Sequence, residues 1–343
     1  MTIKVGLVGY GLAGSAFHAP IIKAVKGLQL AAIVSSRKSL IHQSYPEVEV
    51  LSTIEELLIK QDVDLIVIAT PTDTHYPLAK AALQANKHVV IDKPFVVDSE
   101  QAKELINLAT QRNRLLAVYQ NRRWDNDFLT VQQLLVKQTL GKLYYFESHF
   151  DRFNPEVDAK RWREQAKPGS GLLYDLGAHL IDQALLLFGK PDWVYADVVK
   201  QRPTAVVDDY FHIIMAYGAL RTVLHTSSIA NAAAPRFTLH GDRGSFVKSG
   251  LDPQEAMLRD GKNPLDDKQW GQEEPQYKGT LVLGETMKRI DSQTGDYRQF
   301  YKYVYASIIQ GDAFPITYQQ IIDVIVMIET LQRSAARHCA IAI

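Results

Sequence analysis

Apolar residues follow two different rhythms along the chain. Up to about residue 120, continuous apolar runs at 3–8, 28–34, 65–69, 88–91 and 115–118 alternate with helically spaced stretches at 14–26, 54–60, 76–84 and 100–111. Short strands that are apolar on both faces, separated by helices, predict a parallel sheet covered on both sides. Ligands of such a sheet bind outside the carboxyl ends of its strands. Beyond residue 122 the strand candidates come in closer succession, at 143–150, 193–200, 210–217, 220–228, 237–240 and 245–249. Long helices interrupt them only at 173–188, 297–309 and 319–336, and the polar stretch 261–277 reads as a surface loop. The expected fold class is therefore α/β: an N-terminal Rossmann dinucleotide-binding domain over 1–122, then an α+β domain over 123–343. The second domain should be built on a large, mostly antiparallel sheet.

Composition narrows the function. At roughly 150 residues per domain, 343 residues make two domains. Hydrophobic residues at 46% and charged residues at 22% are the balance of a globular chain rather than a disordered or fibrous one. Lys+Arg and Asp+Glu are each 38, so there is no basic surplus to point to nucleic acid or an acidic membrane surface. The lone Cys339 has no cysteine to pair with and no companion for a structural zinc site. With no leader pattern at the start and no run of ~18 apolar residues, a cytoplasmic location is expected.

The strand at 3–8 runs straight into Gly9-Tyr10-Gly11-Leu12-Ala13-Gly14, a G-x-G-x-x-G that opens a helix. In that setting the first glycine makes the tight turn, the second admits a pyrophosphate to the backbone, and the third lets helix and strand approach. An NAD site places a carboxylate about 20 residues further on, at the end of the second strand. This chain has Ser35, Ser36, Arg37 and Lys38 there and no carboxylate before Glu47. Hydroxyls and a guanidinium accept a 2′-phosphate that a carboxylate would repel, so NADP(H) is preferred, with NAD(H) as the other option. Thr70, Pro71, Thr72 and His75 follow the third long strand and lie on the same edge, where one threonine or Asp73 is also needed to cap the next helix.

Two clusters carry candidate chemistry. Asp92-Lys93-Pro94 closes the next strand, bringing an ammonium to the ligand edge, and the proline suggests a cis bond. Asp175 and His179 stand four apart on a helix after Gly169-Ser170-Gly171, so a carboxylate can orient an imidazole general base. The plain alternative is a capping aspartate and a packed histidine. Two ligands are too few for catalytic zinc, and no metal is expected.

Together, the glycine turn, Thr70-Pro71 with His75, Asp92-Lys93-Pro94 and Gly171…Asp175…His179 resemble the glucose-fructose oxidoreductase/inositol dehydrogenase (Gfo/Idh/MocA) family over essentially the whole chain. The usual Glu-Lys-Pro of that family is Asp-Lys-Pro here. GYGLAGSAFHAP from Gly9, YQNRRWDNDFLT from Tyr119, HFDRF from His149, RWRE from Arg161 and DDYFH from Asp208 resemble more closely a subgroup around the NADP(+)-dependent scyllo-inositol dehydrogenases.

The resemblance implies an open-faced sheet used for subunit contact, hence a homodimer or homotetramer, and a cyclic polyol or sugar as substrate. It implies that His179 takes the proton of a secondary hydroxyl while hydride leaves for the nicotinamide. Lys93 would hold the same oxygen, and Asp175 would orient His179 or bind a vicinal hydroxyl. Trp162 and Arg163 match positions near the nicotinamide, and Asn121 joins the cofactor contacts. Tyr119, Arg123, Arg152, Tyr210 and His212 are expected polyol contacts, with an ion pair as the other role for Arg122-Arg123. A non-catalytic, dinucleotide-dependent sugar sensor and a glycoside hydrolase with bound NAD are the competing classes. The retained Lys93, Asp175 and His179 argue against the sensor, and Ser36-Arg37 against the hydrolase.

Overall fold

A computed structural model describes residues 1–232 and 234–343. It divides into two compact units, each assembled from three chain segments. The first comprises Met1–Asn121, Gln254–Trp270 and Asp296–Ile322; the second comprises Arg122–Pro253, Gly271–Gly295 and Asp323–Ile343. A single cut near residue 122 is thus only the first of five crossings, and the segments 254–270 and 296–322, read from sequence as part of the second domain, group with the N-terminal unit.

The first unit holds an all-parallel sheet of six strands in the order β3-β2-β1-β4-β5-β6. They are β1 (Ile3–Val8), β2 (Leu28–Val34), β3 (Glu49–Leu51), β4 (Leu65–Ile68), β5 (His88–Ile91) and β6 (Leu116–Val118). Leu65, Ile66, Val67 and Ile68 of β4 are all fully buried, as a central strand with helices on both faces requires. The register sets the strand ends side by side: Ala69 N–H donates to Val8 O (2.8 Å) and Asp92 N–H to Ile68 O (2.8 Å). The short strand β3 and the helix Lys38–Ser44 are additions to the sequence reading; only Ile41 of that helix is buried, so it shows little apolar periodicity. Thr53 and Asp98 cap the helices Ile54–Leu58 and Ser99–Gln111 by accepting from Glu56 N–H and Gln101 N–H. The returning helix Arg298–Ile309 supplies Phe300, Tyr301 and Val304 to the core of this unit.

The second unit is built on a nine-stranded mixed sheet, ordered β14-β13-β12-β11-β7-β10-β9-β8-β15. Its strands are β7 (Leu143–His149), β8 (Trp193–Val199), β9 (Tyr210–Tyr217), β10 (Leu220–Ser227), β11 (Phe237–Gly241), β12 (Gly244–Lys248), β13 (Gly279–Leu283), β14 (Thr286–Ile290) and β15 (Ile341–Ala342). Among the described residues of this sheet, only β10 and β7 pair in parallel. One face is apolar: Phe146, Phe211, Ile213, Met215, Leu224, Phe237 and Phe246 join Leu180, Ile181 and Ala184 of the helix Ala178–Phe188 in one core. The alternating residues on the other face are largely polar and half-buried, Glu147, His149, His212 and His225 among them. The stretch 261–277 carries no long element, as expected for a loop, but Trp270 is buried, its indole N–H donating to Gln254 Oε1 at 3.1 Å.

Candidate functional site

In the first unit the site begins at the glycine turn. Gly9 has φ +96°, a conformation costly for any residue with a Cβ, and a β-carbon there would stand 2.7 Å from Ala69 O. A β-carbon on Gly14 would collide with Gly9 O. At Gly11 nothing lies within 4 Å of that position, so the backbone faces open space there. This division of roles fits a pyrophosphate-binding turn. Tyr10 is buried edge-on to Tyr45, while Leu12 is half-exposed. Arg37 folds back toward the turn, its Nη1 donating to Tyr10 O at 3.3 Å and its backbone N–H to Ser35 Oγ at 3.1 Å. Ser36 is exposed beside it, and Lys38 begins the following helix.

Thr70 sits on the neighbouring strand end, its hydroxyl paired with Thr74 at 2.6 Å; Thr74 also donates to Pro71 O. Thr72 is buried in the short turn that follows. His75, grouped above with the cofactor contacts, is a packed histidine set against the backbone. It is fully enclosed, with Nε2 facing Thr70 O at 2.9 Å and Nδ1 facing Pro94 O at 3.0 Å. A backbone carbonyl stands opposite each nitrogen and the single N–H of the neutral ring donates to one of them, so His75 braces the loops that carry Thr70 and Pro94. Burial holds its pKa below the ordinary histidine value.

The Lys93–Pro94 bond is cis. Lys93 N–H donates to its neighbour's carboxylate, Asp92 Oδ1, at 2.9 Å. Behind Asp92 lies a buried array the sequence reading missed. His18 Nε2 stands 3.8 Å from Asp92 Oδ1, and its Nδ1 is 2.7 Å from Tyr301 Oη. Burial opposes ionisation of Asp92, but His18, Lys93 and His75 outweigh it and leave the pKa lowered. Tyr119, expected to touch substrate, is only 1% exposed. Its ring packs against His18, Phe300 and Tyr301, and its hydroxyl donates to Phe17 O at 3.2 Å. It belongs to the core. Asn121 is half-buried at the start of the turn Asn121–Trp124.

In the second unit the candidate residues cluster along 162–179. Gly171 N–H donates to Arg163 O at 3.0 Å, and Ser170 Oγ to Trp162 O at 3.1 Å. The Arg163 guanidinium lies 4.6 Å from the Trp162 ring centroid and donates to Asp175 Oδ1 at 3.1 Å. Asp175 lies in a widened π-helical turn, Leu173–Gly177, and His179 in the first turn of the α-helix that continues it. His179 is 4% exposed. Asp208 holds the start of that turn, accepting Leu173 N–H on Oδ2 at 2.7 Å, and a β-carbon on Gly171 would collide with its Oδ1. Burial pushes the Asp208 pKa up to about 6.

Three expected polyol contacts are placed differently. Arg123 is buried and grips Asp182 with both arms of its guanidinium, Nε at 2.9 Å and Nη2 at 2.7 Å, three residues beyond His179 on the same helix. It anchors that helix, the ion-pair role left open above, although the partner lies 59 residues away. Tyr210 and His212 project from the half-buried face of β9. The intervening Phe211 faces the other way, its ring 3.5 Å from where a Gly177 β-carbon would stand. Their rings lie 5.3 and 5.8 Å from that of His225, with the sheet between them and His179. Arg152 follows β7, its N–H donating to Ser227 O at 2.9 Å.

Residues 3–120 match the family model described as oxidoreductase family, NAD-binding Rossmann fold, and residues 132–342 the oxidoreductase family's C-terminal alpha/beta domain. YdgJ of Escherichia coli, named an uncharacterized oxidoreductase, is 46% identical over 98% of this chain and 97% of its own. IolW of Bacillus subtilis, named scyllo-inositol 2-dehydrogenase (NADP(+)), is 41% identical over 97% of this chain and 94% of its own. Among solved structures, yvaA of Bacillus subtilis superposes with a TM-score of 0.96 at 40% identity, covering 100% of this chain and 98% of the other. A biliverdin reductase of Synechocystis, at 21% identity and a TM-score of 0.76, shares the fold. Among the described residues no helix is long and apolar enough to cross a membrane. Both matched domains make this chain a member of the Gfo/Idh/MocA oxidoreductase family, with an NAD(P)-binding Rossmann domain.

Proposed function

We propose that the protein is an NADP(H)-dependent dehydrogenase that oxidises a secondary alcohol of a cyclic polyol or sugar, with scyllo-inositol the first candidate. The observation that carries the cofactor choice is Arg37, turned onto the Tyr10 carbonyl where an NAD site would hold a carboxylate. The substrate class is supported by the name of the 41% identical relative IolW. Gly9, Gly11 and Gly14 would hold the pyrophosphate, and Ser36, Arg37 and Lys38 the 2′-phosphate. When bound, the nicotinamide supplies the hydride acceptor. His179 accepts the hydroxyl proton, Lys93 steadies the reacting oxygen with its ammonium, and Asp175, itself held by Arg163, fixes the geometry of that turn. In reduction the proton returns from His179 to the oxygen.

The test is initial-rate absorbance of reduced nicotinamide, with NADP(+) and NAD(+) each crossed with scyllo-inositol, myo-inositol, glucose and a blank. Turnover of scyllo-inositol with NADP(+) and little with NAD(+) is expected. A preference for NAD(+) would overturn the role of Arg37. Saturable NADPH binding with no turnover of any polyol or sugar would overturn the catalytic assignment.

A further inference from the structure

The polar, half-buried face of the second unit's sheet carries a group of side chains that the proposed reaction does not use. β7 ends at His149, Asp151 follows two residues on, and β10, running parallel to β7, sets His225 opposite His149 in register. His149 Nδ1 stands 3.0 Å from Asp151 Oδ2, and His225 Nδ1 stands 2.9 Å from Asp151 Oδ1. One ligand-type atom from each of the three lies within 4.8 Å of the other two. Ser227 N–H also donates to Asp151 Oδ1 at 3.2 Å, which fixes the carboxylate. On the far edge of the His149 ring, Nε2 lies 2.8 Å from Glu147 Oε1.

We propose that His149, Asp151 and His225 form a binding site for a divalent first-row transition metal, zinc foremost, with solvent completing the coordination. Two imidazoles and a carboxylate are a common three-residue donor set for such ions. Bonds of about 2.0–2.1 Å in a tetrahedral site put ligand atoms roughly 3.3 Å apart; His149 Nδ1 and His225 Nδ1 stand 3.0 and 2.9 Å from the two different oxygens of Asp151, so a small turn of the carboxylate brings one oxygen to both rings. Glu147 occupies the place of an outer partner: a carboxylate on the second nitrogen of a ligating histidine fixes its tautomer and strengthens it as a donor. The side chains of His149, Asp151 and His225 are 12%, 4% and 17% exposed, largely out of water yet reachable by an ion. The site stands on the opposite face of the sheet from Phe211 and the His179 helix, so it is separate from the reading above.

The experiment uses the full, untagged chain, stripped with a chelator and titrated with Co²⁺ and then Zn²⁺. One Co²⁺ per chain with visible d–d absorption, bleached by one equivalent of Zn²⁺, is expected. His225→Gln and Asp151→Asn should abolish the bands. Glu147→Gln, which removes only the outer partner, should weaken Zn²⁺ binding by about 10–100-fold. Circular dichroism identifies any variant that fails to fold, in which case the wild-type spectrum and Glu147→Gln decide. Absence of saturable d–d bands in the wild-type chain overturns the site. So does unchanged affinity in a folded His225→Gln protein, which would leave the three residues as a hydrogen-bonded network alone.

Discussion

Replacing Arg123 by methionine isolates the anchor of the helix that bears His179. The guanidinium meets Asp182 at 2.7 and 2.9 Å, with side-chain exposures of 7% and 3%, so Arg123→Met leaves a carboxylate with almost no access to water. Removing one partner of a buried pair costs about 3–5 kcal/mol, whereas replacing both by apolar groups of similar volume is often nearly neutral. Arg123→Met and Asp182→Leu should therefore each destabilise by about 3–5 kcal/mol, and the double variant by about 1 kcal/mol or less. With a urea slope of roughly 3 kcal/mol/M, each single variant lowers the unfolding midpoint by about 1 M or more, and the double variant recovers most of that shift. Urea titration followed by circular dichroism reads this directly, an unchanged slope confirming that stability alone has moved. If Arg123→Met lowers the midpoint by less than about 0.3 M, or if the double variant falls by the sum of the singles, the pair is not the anchor described.

Arg37→Ala should weaken NADPH binding by about 10–100-fold, the loss of a charge-assisted contact to a phosphate, and leave NADH binding nearly unchanged; equal effects on both in a fluorescence titration would contradict the assignment. His179→Ala should lower kcat by about 10²–10⁴-fold while NADPH still binds, and near-normal turnover would remove it from the mechanism. The Asp208 carboxyl, raised to about 6 from 3.8, binds a proton in the folded chain that the unfolded chain has already released. Its contribution is fully present below about pH 4 and lost as pH rises through about 6, a change of about 3 kcal/mol. Asp208→Asn keeps an oxygen for Leu173 N–H and should gain about 3 kcal/mol over wild type at pH 8 but only about 1 kcal/mol at pH 4.5; a difference independent of pH would refute this.

The parts legible in the sequence are those where local pattern and tertiary role coincide. Strands β1, β2 and β5 read correctly to the residue because each is an apolar run closed by turn residues. The glycine turn was equally plain, since its steric demands lie within six consecutive positions. Strand β3 was not, because it is three residues long and none of them is fully buried. Contacts made at long range left no local trace: Tyr119 looked like a polar ligand because its packing partners, Phe300 and Tyr301, lie about 180 residues away. Tyr210 and His212 are legible as strand residues, but the sequence does not say which side of the sheet they take. Alternation tells that they share a face, but only the packing of Phe211 tells which face meets the helix. The Asp151 pair with His225 spans 74 residues and rests on a parallel register that no spacing rule reveals.

The interleaving of the two units bears on how the chain is made. As residues leave the ribosome in order, strands β1 to β6 are complete by residue 118. The side chains that seal the region around His18 and Tyr119, namely Phe300 and Tyr301, belong to the segment Asp296–Ile322. Through most of translation this part of the nucleotide-binding sheet waits with an unsealed apolar surface, a condition in which nascent chains depend on chaperones. A fragment ending at residue 122 would carry every glycine of the dinucleotide turn and still lack the side chains that close its own core. Maturation of the first unit is thus deferred to nearly the last tenth of synthesis, and a stop codon shortly before Asp296 would leave neither unit with all its segments.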